Sequence, residues 1–231
     1  MKTVLITGAN RGIGLEHTRS FVARGIRVFA AARSPSQADE LNVLATRHAD
    51  KITVLGYDAA DPASPALLKA AVGDTPIDLL LANAGVGSGD RESFGSVDVE
   101  DALQLIRINS IAPLKLAEAL AENVAGSDRK LMAFQSSQLG SIGNNNSGGR
   151  YGYRISKAAL NMVAKGIASD LGSRGVIAVA LHPGWVKTRM GGASAPVPVE
   201  QSVAGQQRLF DRLTMADSGH FFNYDGTELP W

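Results

Sequence analysis

The chain has 231 residues, 45% of them hydrophobic and 19% charged, with 23 Lys+Arg against 22 Asp+Glu for a net charge of +1. At roughly 150 residues per domain this length favours one large domain, 1–231, able to bury a core without disulfide or metal staples. The balanced charge argues against nucleic acid or an anionic membrane as partner, and the absence of Cys excludes disulfides, cysteine zinc sites, iron–sulfur clusters and a cysteine nucleophile.

Thr3–Thr7 is a nearly continuous apolar run, as expected of a strand covered on both faces. It leads into Thr7-Gly8-Ala9-Asn10-Arg11-Gly12-Ile13-Gly14. Glycines at 8, 12 and 14 permit a tight turn and let the backbone approach a pyrophosphate. A helix over Gly12–Arg24, ended by Gly25, would add free N–H groups and the positive end of its dipole. The spacing G-x-x-x-G-x-G departs from the commoner G-x-G-x-x-G. Its place at a strand-to-helix junction favours a nucleotide loop over a plain Gly-rich turn.

The second strand, Arg27–Ala32, ends without an acid and is followed by Arg33. An acid there would bind a ribose 2′-hydroxyl, whereas Arg accommodates a 2′-phosphate. Arg11 supplies a second guanidinium. Each could singly be a solvated charge, and together they favour NADP(H) over NAD(H).

Further on, strands are predicted at Ile52–Tyr57, Ile77–Ala82, Lys130–Gln135, Val176–Leu181 and His220–Tyr224. Helices are predicted at about Ser36–His48, Pro65–Val72, Val97–Val124 and Tyr153–Gly172. The alternation implies an α/β fold, a doubly wound seven-stranded parallel sheet with helices on both faces and right-handed crossovers. Loops at Val86–Gly95, Gly140–Gly149 and Gly191–Pro198 follow the carboxyl ends of strands, the edge where such sheets bind ligands. Four dispersed histidines, at 17, 48, 182 and 220, do not suit a metal site. His182, beside Pro183, is expected to be a strand-end histidine bonded to backbone. The apolar run at the start is too short for a signal peptide and nothing approaches the ~18 apolar residues of a membrane span, so a cytoplasmic location is expected.

Tyr153-Arg154-Ile155-Ser156-Lys157 opens the last long helix, and i, i+4 spacing puts phenol and ammonium on one face. Lys157 is expected to lower the pKa of Tyr153 toward working pH, as a general acid/base requires. Alone, such a pair is common. Tyr151 lies six residues before Lys157 and out of helical register with it.

Taken together, these segments resemble the short-chain dehydrogenase/reductase family over nearly the whole chain. Thr7–Gly14 is similar to its T-G-x-x-x-G-x-G loop, Asn83-Ala84-Gly85 to its N-A-G motif, and Asn109 to its helix-borne catalytic Asn. Ser136-Ser137 is similar to its catalytic Ser segment, Tyr153/Lys157 to Y-x-x-x-K, and Pro183-Gly184 with Thr188 to its P-G-x-x-x-T turn. Ser137–Ile142, Tyr153–Asn161 and the ending Tyr224–Trp231 look like the C-factor and Sniffer-like carbonyl reductase branch. The resemblance implies Asn109, Ser137, Tyr153 and Lys157 as the catalytic set. Chemistry does not separate Ser136 from Ser137, and the second aligns with the family position. It implies cofactor contacts from Gly8, Asn10, Arg11, Gly12, Ile13, Gly14, Arg33, Asp58, Ala59, Asn83, Ala84, Gly85, Tyr153, Lys157, Pro183, Gly184, Val186 and Thr188. Asp58 could equally be a turn-forming Asp. Sixteen residues separate Ser137 from Tyr153, where the family usually has about a dozen, and the extra length in 143–149 is expected to bulge outward. The implied activity is an NADPH-dependent oxidoreductase acting on a small carbonyl or alcohol substrate, as a homodimer or homotetramer. Leu139, Trp185, Met190 and Val86 are candidate pocket walls. The alternative is a nucleotide-sensing or signalling protein of the C-factor type on the same fold.

Overall fold

In the computed structural model, which describes residues 1–88 and 92–231, the described residues form seven parallel strands and seven α-helices. The strands are β1 (Thr3–Thr7), β2 (Arg27–Ala32), β3 (Ile52–Gly56), β4 (Leu79–Ala82), β5 (Leu131–Gln135), β6 (Ile177–His182) and β7 (Phe221–Asn223). The helices are α1 (Gly12–Ala23), α2 (Asp39–Arg47), α3 (Ser64–Val72), α4 (Val99–Ile106), α5 (Ala112–Ala125), α6 (Tyr151–Leu171) and α7 (Val199–Arg212). Strand order is β3-β2-β1-β4-β5-β6-β7, every pair parallel, so the order reverses between β1 and β4. That switch point opens a crevice beyond the strands' carboxyl ends.

Residues alternate between two cores because successive side chains on a strand point to opposite faces. Val4 and Ile6 face Leu15, Phe21, Leu209 and Phe210, while Leu5 faces the layer that holds Leu68, Leu116, Leu120 and Leu160. Every residue of β1, β4 and β5 is buried, which explains their continuous apolar runs. Among the described residues no helix is long and apolar enough to cross a membrane.

Three features differ from the sequence expectations. The helix expected over 36–48 is a 3-10 turn, Pro35–Gln37, followed by α2. The helix expected over 97–124 is interrupted by a π-turn at Arg107–Ile111, between α4 and α5. Helix α7 has no counterpart among the predicted elements, because its buried face carries Ser202, Gln206 and Gln207 among Val203, Leu209 and Phe210. Buried polar residues break the apolar periodicity by which a helix is read. The insertion before Tyr153 does bulge outward, with residues 145–148 exposed. Within the loop expected over 86–95, residues 89–91 lie outside the described residues.

Candidate active site

The first half of the site is the turn from β1 into α1. Gly8 and Gly12 take φ of +68° and +55°, a region where a side chain is strained. Gly14 is required for a different reason: a Cβ there would stand 2.3 Å from the Gly8 carbonyl oxygen. The turn is tied to β4 through Asn83, whose Nδ2 donates to the carbonyls of Thr7 (2.9 Å) and Gly8 (3.3 Å). In return the hydroxyl of Thr7 accepts from the amides of Asn83 and Ala84, both at 3.1 Å.

Arg11 precedes α1 in an extended conformation and gives no side-chain cap, so the first-turn amides keep their donors for an anion. Asn10 and Ile13 are half-buried in the same turn, and Gly12 packs beneath the Thr188 methyl group. Arg11 and Arg33 are exposed and enter no ion pair among the described residues. Open helix amides, a close-fitting glycine cradle and two unneutralised guanidiniums are the donor set a dinucleotide phosphate needs, so the residues present fit that group. Beside half-buried Ala59, Asp58 accepts from the amide of Ala60 at 3.0 Å, the turn-forming role weighed for it.

The second half follows β5. Ser136 is buried and donates to Asn161 Oδ1 at 2.6 Å, away from the cleft. Ser137 instead accepts from the amide of Leu139 at 3.1 Å, and its hydroxyl acts to lower the pKa of the Tyr153 phenol. Tertiary structure thus separates two serines that look alike in sequence. Lys157 is buried, its Nζ 5.8 Å from the Tyr153 ring centroid, and it donates to the Gln135 carbonyl at 2.8 Å. A Cβ at Gly140 would lie 2.7 Å from the Lys157 carbonyl carbon, so that glycine lets the serine segment close onto α6. A Cβ at Gly85 would stand 3.1 Å from Asn109 Oδ1 and 3.6 Å from Lys157 Nζ, so the N-A-G segment and these two side chains meet at one point.

Asn109, on the π-turn, grips Val86 from both sides. Its Oδ1 accepts from the Val86 amide and its Nδ2 donates to the Val86 carbonyl, each at 2.9 Å. Nδ2 also donates to Ser156 at 3.1 Å. Both polar atoms of the Gln135 side chain are buried without a protein partner among the described residues, an orphaned amide at the end of β5.

Two electrostatic expectations are corrected. The Tyr153 phenol is shifted up, not down: burial raises it more than the Ser137 hydroxyl and the Arg150 charge lower it. Lys157 does not reverse this, because burial depresses its own pKa to about 8 and its ammonium is aimed at Gln135. His182 is not bonded to backbone through Nδ1, which is buried without a partner among the described residues; burial lowers its pKa to about 4.

Over the cleft, Pro183, Gly184 (φ +86°), buried Val186 and Thr188 form a turn closed by the Thr188 amide donating to the Val186 carbonyl at 2.8 Å. Trp185 is an exposed wall, its indole N–H donating to the Gly191 carbonyl at 2.7 Å. Met190 lies over Gly87, bringing the 184–198 segment against the loop after β4; Val86 and Leu139 are half-buried. Sequence reasoning missed Glu92, whose carboxylate accepts from the Gly152 amide at 2.7 Å at the start of α6. No local pattern marks it, since its partner is 60 residues away.

A family model described as short chain dehydrogenase matches residues 2–196. The "C-signal" of Myxococcus xanthus is 43% identical over 156 residues, covering 68% of this chain and 93% of that protein. Among solved structures, carbonyl reductase Sniffer of D. melanogaster superposes with a TM-score of 0.94 at 34% identity, over 100% of both chains. An NADPH-bound carbonyl reductase from chicken fatty liver gives 0.94 at 34%, over 100% of this chain and 99% of the other.

Proposed function

This chain belongs to the short-chain dehydrogenase family, and on that premise we propose that it is an NADPH-dependent reductase of a small ketone or aldehyde, with Tyr153 as general acid. The observation that carries the reading is a convergence. Lys157, on the helix that carries Tyr153, meets Asn109 and Gly85 at the sheet edge that also holds the glycine turn, and the Ser137 hydroxyl acts on the Tyr153 phenol.

When bound, the reduced dinucleotide supplies hydride to the carbonyl carbon. Ser137 and Tyr153 donate hydrogen bonds to the carbonyl oxygen as negative charge grows there, and Tyr153 gives up its proton. A phenol kept protonated by burial suits reduction at neutral pH, when the proton must be delivered. Lys157 holds the cofactor ribose and places a positive charge beneath the tyrosine. Asn109 is a positioning residue, since its amide is spent on the backbone of Val86. Asn10, Ile13 and the amides of α1 hold the pyrophosphate, Asp58 and Ala59 border the adenine, and Arg11 and Arg33 take the 2′-phosphate. The carbonyl reductase neighbours, one of them NADPH-bound, support the substrate class and the cofactor.

The experiment is an NADPH-oxidation screen against aldehydes and ketones, with NADH as control. Turnover of at least one carbonyl with NADPH preferred is the expected result. Inertness toward the whole panel with both nucleotides overturns the reading.

A further inference from the structure

Three buried side chains and the part-buried Pro183 carbonyl, on two helices and a turn, form one hydrogen-bonded line. His17 Nε2, on α1, lies 3.2 Å from Gln206 Oε1 on α7. Gln206 Nε2 lies 3.0 Å from Ser202 Oγ, one turn earlier on the same helix. Ser202 Oγ donates to the Pro183 carbonyl at 2.6 Å. His17, Ser202 and Gln206 are each fully buried.

The direction of the line is forced from its far end. A carbonyl can only accept, so the serine proton points at Pro183, and Ser202 must then accept from Gln206. That turns the Gln206 oxygen toward His17 and makes His17 Nε2 the protonated nitrogen. His17 Nδ1 is left buried without a partner among the described residues. The ring lies 5.8 Å from both Phe21 and Phe210, and burial depresses its pKa to about 4, so the imidazole is neutral near pH 7.

A second contact acts on the same turn. Tyr224 is wedged between α7 and Gly184: a Cβ at Gly205 would stand 2.5 Å from the Tyr224 carbonyl oxygen, and one at Gly184 3.0 Å from its ring. Helix α7 therefore meets the Pro183–Thr188 turn through a hydrogen bond and through a tightly packed ring.

We infer that His17, Gln206 and Ser202 are positioning residues for the cofactor turn, a one-way donor line that fixes the Pro183 carbonyl and with it the Gly184–Thr188 segment above the glycine loop. The line starts on the helix that opens with the glycine loop and ends on the turn that packs over it, so both cofactor-facing segments are registered to one buried frame. Stability alone does not call for the His17–Gln206 pair, because apolar groups of similar shape in place of both hydrogen-bonding partners can be nearly neutral. The inference rests on the reading of Pro183–Thr188 as a cofactor turn.

The test compares Ser202→Ala, Gln206→Glu, Ser202→Thr and the α7 core variant Leu209→Val. NADPH affinity is measured by fluorescence titration. Amide exchange across 184–188 is measured in the nucleotide-free protein, with melting temperature alongside. Gln206→Glu keeps the volume and, read at a pH alkaline enough to ionise the buried carboxyl, donates nothing to Ser202, whose proton is then drawn to the carboxylate and away from Pro183. We expect Ser202→Ala and Gln206→Glu to weaken NADPH by about five- to tenfold and to speed exchange at 184–188. Ser202→Thr should restore both, and Leu209→Val should lower the melting temperature and move neither. Wild-type affinity with unchanged exchange in Ser202→Ala overturns the inference, as does an equal effect of Leu209→Val. If the unmodified protein binds neither NADPH nor NADH, the functional reading fails, while the exchange measurements still decide whether the line holds the turn.

Discussion

The ammonium of Lys157 donates its hydrogen bond to the main-chain carbonyl of Gln135, 2.8 Å away, and so ties α6 to the strand end that precedes Ser136 and Ser137. The lysine is buried, and burial lowers its pKa to about 8 from the usual 10.5. Above that folded value the side chain is neutral and no longer supports proton transfer at Tyr153. Reductive kcat/KM should therefore fall as pH rises through about 8. The effect on stability has the opposite sign. Between the folded and unfolded values the unfolded chain holds a proton that the native chain has lost, so the lysine's unfavourable contribution is relieved as pH rises through that window. Denaturant midpoints of the unmodified protein and Lys157→Met, compared at neutral and alkaline pH, should converge in alkali. A gap that widens with pH contradicts the assignment.

Tyr153→Phe removes the proton donor and leaves the ring in place. Cofactor affinity should stay within about twofold while kcat falls by at least the ~100-fold typical of a lost acid/base group. Binding titration and steady-state kinetics on the same preparation check both halves. The variant also tests the signalling alternative, since a pure nucleotide sensor would keep its biological activity without the phenol.

The two serines should behave oppositely. Ser137→Ala removes a donor from the cleft and should cut kcat by roughly 10²-fold, with little change in melting temperature. Ser136→Ala strips the buried Asn161 Oδ1 of its partner at 2.6 Å and should chiefly lower stability, by about 1–3 kcal/mol. Thermal melts and kinetics on both variants distinguish them. The reverse pattern would make Ser136 the catalytic serine.

Cofactor choice should rest on the two exposed arginines. Arg33→Ala and Arg11→Ala should each weaken NADPH by roughly tenfold and leave NADH nearly unchanged, because a charge-assisted bond to the 2′-phosphate is all that is removed. The acid that would favour NADH cannot be placed at Ala32, whose side chain is buried in the apolar layer against α1. Arg33→Asp, at an exposed position, is the switching variant. The measurement is kcat/KM with both nucleotides. Equal losses with NADPH and NADH would remove the arginines from phosphate recognition.

The strands, the glycine turn and the Tyr153/Lys157 pair were legible because each is a local pattern: an apolar run, a set of spacings, a helical i, i+4 step. Parallel order and the two-faced sheet followed from alternation, with the boundaries moving by a residue or two, as at β4, which begins at Leu79 and not at Ile77. What depends on residues far apart in the chain was decided only by the tertiary structure. Helix α7 hid behind buried Ser202, Gln206 and Gln207, whose partners include Pro183, His17 and Arg24. Ser136 and Ser137 became distinguishable only when the hydroxyl of one donated to Asn161 and that of the other accepted from the Leu139 amide, where it acts on the Tyr153 phenol. The Tyr153 shift followed the same rule: spacing foretold a neighbouring cation but not the desolvation that outweighs it. Sequence determines which chemistry-bearing groups are available and on which elements they ride. Burial and partners up to 189 residues away, as for His17 and Gln206, decide what those groups can do, because desolvation and hydrogen bonding are properties of the packed interior and have no local code.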